Sequence, residues 1–296
     1  MRRARALLLA LCSSTACAPA AAPPRAASAP PVATSAEPHV DPTSQQFARE
    51  DPRARYVDPE RKRKLAAALE TIDAMVESQR AALDLPSLAY AVVVDGETVI
   101  AGARGVRDLA TKAPADADTI YRIGSITKSF TGLLVLSLRD DGKLSLGDPL
   151  AKWIPEATKL VYPTRDSAPL TLEQLLAHRS GLPRLGKFDY TGRVGPTSDV
   201  IVKSLEGFPL ESAPGTRFSY SNLGFALLGI TAARAGGAPY GALLKERIFD
   251  PLGMSSSTID DAAIDKARFA TPYAREKQKG LVRKPTWTMG DAAGAG

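Results

Sequence analysis

Asp95-Gly96, set between Ala91-Val92-Val93-Val94 and Thr98-Val99-Ile100, constrains this chain most. A two-residue turn of this kind between β-branched runs ties two strands into an antiparallel hairpin. Strand character extends from Ser87 to Gly105. Before it, Asp58-Pro59 reads as a helix start, with an N-cap and a proline at the first position. Leu65, Leu69, Ile72, Met75, Val76 and Leu83 then recur at helical spacing. After it, the apolar positions from Ile126 to Leu138 cover most of a helix circumference, which predicts a buried helix ended by Gly142.

Further along, Thr171-Leu172-Glu173-Gln174 fits a capping box opening a short helix to about His178, closed by Gly181 and Pro183. Pro214-Gly215-Thr216 reads as a turn and Arg217 to Ser221 as a short extended piece. Leu223 to Ala235 reads as an apolar helix ending at Gly236-Gly237, and Pro239 to Phe249 as one more. Asp291 to Gly296 carries no strand or helix signal, and two strands without partners would be marginal.

The chain opens differently. Arg2, Arg3 and Arg5 precede a short apolar run, Ala6 to Leu11, and small residues lead to Ala16-Cys17, the pattern of an export signal over residues 1–17. That run is too short to span a bilayer. Residues 18–57, rich in Pro, Ala and Ser, read as a disordered tether, and 58–296 as the folded domain. Cys12 and Cys17 are the only cysteines, so the exported body has no thiol for a disulfide, a metal or catalysis. Three of the six net positive charges lie on the leader arginines, and nucleic acid is not expected as a partner. The densest basic run, Arg61-Lys62-Arg63-Lys64, reads as the solvated face of a helix.

Ser125-Ile126-Thr127-Lys128 places a nucleophile and an amine one helical turn apart, on one face. Burial of that amine would disfavour its charged form and let it accept the serine proton. With 21 serines and 14 lysines in 296 residues, about one Ser-x-x-Lys is expected by chance. Tyr220-Ser221-Asn222 is rarer. Asn222 is the sole asparagine, so eight tyrosines give only about 0.03 Tyr-x-Asn by chance. Asn222 alone would serve as the N-cap of the Leu223 helix while presenting its amide to a substrate.

Four ordered segments carry a family resemblance: Tyr121 to Phe130, Leu170 to Pro183, Pro214 to Gly224, and Pro251-Leu252-Gly253-Met254. They resemble the serine β-lactamase and penicillin-binding-protein superfamily, in its class C β-lactamase, D-alanyl-D-alanine carboxypeptidase and esterase branch. The resemblance implies an α+β, β-lactamase/transpeptidase-like fold, with an antiparallel sheet flanked by helices plus a mostly helical subdomain. It implies Ser125 as acylated nucleophile, Lys128 as its activating amine, Tyr220 as proton relay and Asn222 as a substrate-binding amide, with no metal or cofactor. Substrates would be β-lactams, D-Ala-D-Ala or other peptidoglycan peptides, or esters. Ser14-Thr15-Ala16-Cys17 resembles a bacterial lipoprotein signal, making Cys17 a lipidation candidate and the protein an exported, periplasmic or membrane-anchored one.

Other constellations fit less well. The only histidines are His39, in the tether, and His178, which reads as a local helix-end contact, and there is no Gly-x-Ser-x-Gly elbow for a Ser-His-Asp triad. The family's third element, a Lys-Thr-Gly or His-x-Gly on an edge strand, is not found after Met254. The expectation is therefore a domain lacking its C-terminal strands and helix. The alternative is a noncatalytic binding module or remnant of such an enzyme.

Overall fold

The computed structural model describes residues 58–190 and 194–296. The expected export leader, Cys17 and the 18–57 tether lie outside them. Asp95 (φ 53°) and Gly96 (φ 78°) both adopt the left-handed conformation that the two-residue turn requires, joining β1 (Ser87–Val94) antiparallel to β2 (Glu97–Gly105). The register shifts between Val92 and Val93.

The expected single N-terminal helix is two, α1 (Arg61–Ala67) and α2 (Leu69–Ala82), broken at Ala68. Glu60, not Asp58, is the N-cap residue. Asp58 serves the start from outside, its carboxylate accepting from the Glu60 N–H at 2.9 Å. Both helices pack on β2. The basic run is more than a solvated face: Arg61 pairs with Asp95 at the hairpin turn and Lys62 with Glu97 at 2.8 Å, so helix start and hairpin tip are tied by charge.

Pairing of Ile120 with Phe269 fixes the approach to the next helix, through the Ile120 N–H on the Arg268 carbonyl and the Ala270 N–H on the Ile120 carbonyl, both 2.9 Å. A 3-10 turn, Gly124–Ile126, then feeds α3 (Thr127–Asp140). The helix is buried along one face, Thr127, Lys128, Thr131, Leu134, Val135 and Leu138. Ile126 and Leu133, expected to be buried, are 61% and 47% exposed.

The helical subdomain continues with α4 (Leu150–Trp153), α5 (Leu172–Leu176), α6 (Ser198–Lys203), α7 (Asn222–Gly236) and α8 (Tyr240–Leu244), the last running on into a π turn, Lys245–Phe249. The capping box at Thr171 and Gln174 forms as expected. Ten consecutive residues of α7, Leu223 to Ala232, are buried, making it the axis of the core, and Gly237 (φ 73°) ends it. A second hairpin, β3 (Tyr273–Glu276) with β4 (Gly280–Arg283), has no counterpart in the sequence expectations. Gly290–Ala295, most of which carries no strand or helix signal in the sequence, forms 3-10 turns that pack on α7 and α3 with Ala292 and Ala295 buried. The architecture is α+β, with antiparallel pairs beside a helical subdomain.

Candidate functional site

Ser125 is exposed in the 3-10 turn, where the chain has just left Gly124 (φ 51°) and has not yet entered α3. Lys128, three residues on, is 8% exposed, and its Nζ donates to the Ser125 Oγ at 3.1 Å. Its second acceptor is the backbone carbonyl of Ala295, brought over from the far end of the domain. Tyr220 approaches from the loop before α7, and its hydroxyl donates to the Ser125 Oγ at 2.8 Å. Three expected residues therefore share one cluster, with the serine oxygen at its centre.

Asn222 is placed differently from expectation. The N-cap of α7 is Ser221, whose Oγ accepts from the Gly224 N–H at 2.9 Å and donates to the Pro183 carbonyl at 2.7 Å. A β-hydroxyl at the extended cap position reaches the orphan amides better than a side chain already inside the helix. Asn222 is thus the first helical residue. Among the described residues its Oδ1 is buried with no hydrogen-bond partner, a condition buried polar atoms rarely tolerate.

His178 does more than touch its own helix end. Its backbone is left-handed (φ 55°), and Nδ1 accepts from the Ser221 N–H at 3.1 Å. That fixes the other nitrogen as the protonated one in the neutral ring. The imidazole lies 4.5 Å from the Tyr220 ring and 4.9 Å from Phe225, centroid to centroid. Burial and the nearby Lys128 charge both hold the imidazole below its ordinary pKa.

Tyr220 feels opposing effects. Burial raises its phenol, but hydrogen bonds with Lys128 and Ser125 and the charges of Lys128 and Arg184 outweigh it and leave the pKa below the ordinary tyrosine value. The Lys128 Nζ lies 4.9 Å from the Tyr220 ring centroid. An amine, an acidified phenol and a hydroxyl within hydrogen-bond reach can pass a proton among themselves, the requirement for activating a serine without histidine. Sequence reasoning missed Ala295 and Arg184, which no local pattern marks.

A family model described as Beta-lactamase matches residues 72–296. The chain is 36% identical over 170 residues to the D-alanyl-D-alanine-carboxypeptidase/endopeptidase AmpH of Escherichia coli K12, covering 56% of this chain and 44% of the relative. It is 28% identical over 229 residues to Protein flp of Staphylococcus aureus MW2, covering 76% of this chain and 45% of the relative. The chain thus spans about half the length of the curated relatives it matches.

Among solved structures, the penicillin-binding protein homologue from Pyrococcus abyssi superposes with a TM-score of 0.62 at 31% identity, covering 74% of this chain and 50% of the other. A class C beta lactamase from Rhodobacter sphaeroides gives 0.60 at 30%, covering 75% and 59%. The fold is therefore the β-lactamase/transpeptidase one, and the chain belongs to the beta-lactamase family of serine hydrolases.

Proposed function

We propose that this protein hydrolyses acyl substrates through a covalent acyl-enzyme on Ser125. The observation that carries the reading is the convergence of Lys128 and Tyr220 on the Ser125 oxygen, at 3.1 and 2.8 Å. Ser125 attacks the substrate carbonyl while its proton passes to the Lys128 amine. The oxyanion of the tetrahedral intermediate lies against the Ser125 N–H. As the carbonyl re-forms, the bond to the leaving group breaks and Tyr220 delivers a proton to that group. Water then attacks the ester, giving up a proton to Tyr220, and Ser125 leaves as Lys128 returns the proton it took in the first step.

Two further residues fit this course. The Asn222 side chain, whose buried oxygen has no partner among the described residues, accepts a substrate amide N–H. The Ala295 carbonyl takes one N–H of Lys128, leaving the amine lone pair for the serine proton. The substrates are β-lactams, D-Ala-D-Ala peptides or esters. The leader exports the protein, and lipidation of Cys17 anchors it to a membrane.

The test is acylation by a fluorescent penicillin and by a p-nitrophenyl ester, read by mass spectrometry. A covalent adduct on Ser125, lost in Ser125→Ala, is expected. Intact folded protein that forms no adduct with either reagent, beside a labelled relative, would overturn acyl transfer in favour of a noncatalytic binding module.

A further inference from the structure

We propose that Arg184 is a positioning residue for Tyr220, its guanidinium holding the phenol toward Ser125 and stabilising negative charge on the phenol oxygen during proton relay. The proposal rests on the acyl-enzyme reading above, but one of its tests does not.

The backbone geometry is specific. The Pro183 carbonyl accepts from the Ser221 Oγ at 2.7 Å and the Arg184 carbonyl accepts from the Asn222 N–H at 2.8 Å. The Pro183-Arg184 segment is thereby bonded to the two residues that follow Tyr220. From that fixed base the Arg184 side chain returns to Tyr220, its guanidinium carbon 5.1 Å from the ring centroid. Arginine over an aromatic face is the favoured form of cation–π contact. The same residue grips both ends of the Tyr220-Ser221-Asn222 motif.

The charge is also uncommitted. Arg122 and Arg247 pair with Asp261 and Asp141, both at 2.7 Å. Among the described residues Arg184 has no ion pair, although its side chain is exposed. The groups that face Tyr220 are Ser125 in the 3-10 turn before α3, Lys128 in the first turn of α3, His178 just after α5, and Arg184. None is a carboxylate. Lys128 takes up and gives back a proton in the proposed course, and the His178 ring, which accepts from the Ser221 N–H, brings no negative charge to the phenol. A guanidinium keeps its charge at every working pH. Arg184 therefore provides the constant cation, and its field favours the tyrosinate form of Tyr220.

The direct test is the titration of Tyr220, followed by the ring-carbon NMR resonance of labelled tyrosine and assigned with Tyr220→Phe. The midpoint is expected at higher pH in Arg184→Gln than in the wild type, and between the two in Arg184→Lys. An unmoved midpoint in Arg184→Gln overturns the proposal, whether or not the protein turns over any ester.

In ester hydrolysis, kcat is expected to fall roughly two- to fivefold in Arg184→Gln, the scale of an exposed charge interaction, with KM little changed and most of the loss restored in Arg184→Lys. The deficit narrows as pH rises. A raised KM with unchanged kcat would instead make Arg184 a substrate contact and overturn the positioning role. Absence of any Ser125 adduct in the wild type sinks the acyl-enzyme reading and leaves the NMR titration to decide on Arg184.

Discussion

Ser221 and Asn222 stand side by side and divide two tasks that a single asparagine often performs together. Ser221 holds the helix, accepting from Gly224 and donating to Pro183. Ser221→Ala removes both bonds and is expected to lower stability by about 1–2 kcal/mol, read in denaturant unfolding. Asn222→Ala has the opposite profile. Its Oδ1 has no partner among the described residues, so stability stays within about 1 kcal/mol while acylation of an amide-bearing substrate weakens. Equal stability losses for the two variants would show that Asn222 is structural.

Lys128 is buried and faces the Tyr220 and Phe225 rings, so Lys128→Met keeps most of the packing and removes only the amine. Circular dichroism and unfolding should change little while the Ser125 adduct forms at least about 100-fold more slowly, the scale of a lost general base. Adduct formation at the wild-type rate would take Lys128 out of the proton path.

At the level of elements, what could be read from sequence is what local physics encodes. Asp95-Gly96 dictates its turn through backbone conformation, and the Thr171–Gln174 box through reciprocal hydrogen bonds, so both are legible without tertiary information. The i, i+3 spacing likewise brings Ser125 and Lys128 together. The β3–β4 hairpin is not legible, because four residues per strand leave too short a pattern. Arg184 and Ala295 reach the site only through tertiary packing.

The Gly290–Ala295 segment is the sharpest case, since its small residues carry no strand or helix signal. Smallness is what lets it dock. A Cβ on Gly294 would lie 2.5 Å from the Phe225 carbonyl oxygen and 3.1 Å from the Gly229 Cα, both in α7. The same docking lets the Thr131 hydroxyl donate to the Gly294 carbonyl at 2.8 Å, and it delivers the Ala295 carbonyl to Lys128. Gly294→Ala is expected to push the segment off α7, costing about 1–3 kcal/mol by overpacking and slowing acylation of Ser125. Unfolding and adduct kinetics on one sample check both. A stability loss with an unchanged acylation rate would separate the segment from the site.

At the scale of the whole molecule, distant parts of the chain meet at Asp108, just beyond β2. Its carboxylate accepts from the Thr271 hydroxyl at 2.6 Å and from the Ala110 and Thr111 N–H groups, both at 2.8 Å. Beside it the Thr271 N–H donates to the Arg107 carbonyl and the Leu109 N–H to the Tyr273 hydroxyl, both at 2.8 Å. This knot ties the β1–β2 hairpin to the β3–β4 hairpin, more than 160 residues apart in sequence. The Thr271 hydroxyl, followed by the loop amides, lowers the Asp108 pKa to about 2. An unfolded aspartate titrates near 3.9, so the folded state binds its proton less tightly. The resulting stability is fully present above about pH 5 and fades as pH falls through about 4 toward 2. Asp108→Asn should lower the melting temperature at neutral pH, and the gap between variant and wild type should close on acidification across that window. Thermal unfolding of both proteins from neutral pH downward is the measurement, and a gap that stayed constant with pH would mean the charge of Asp108 does not hold the two hairpins together.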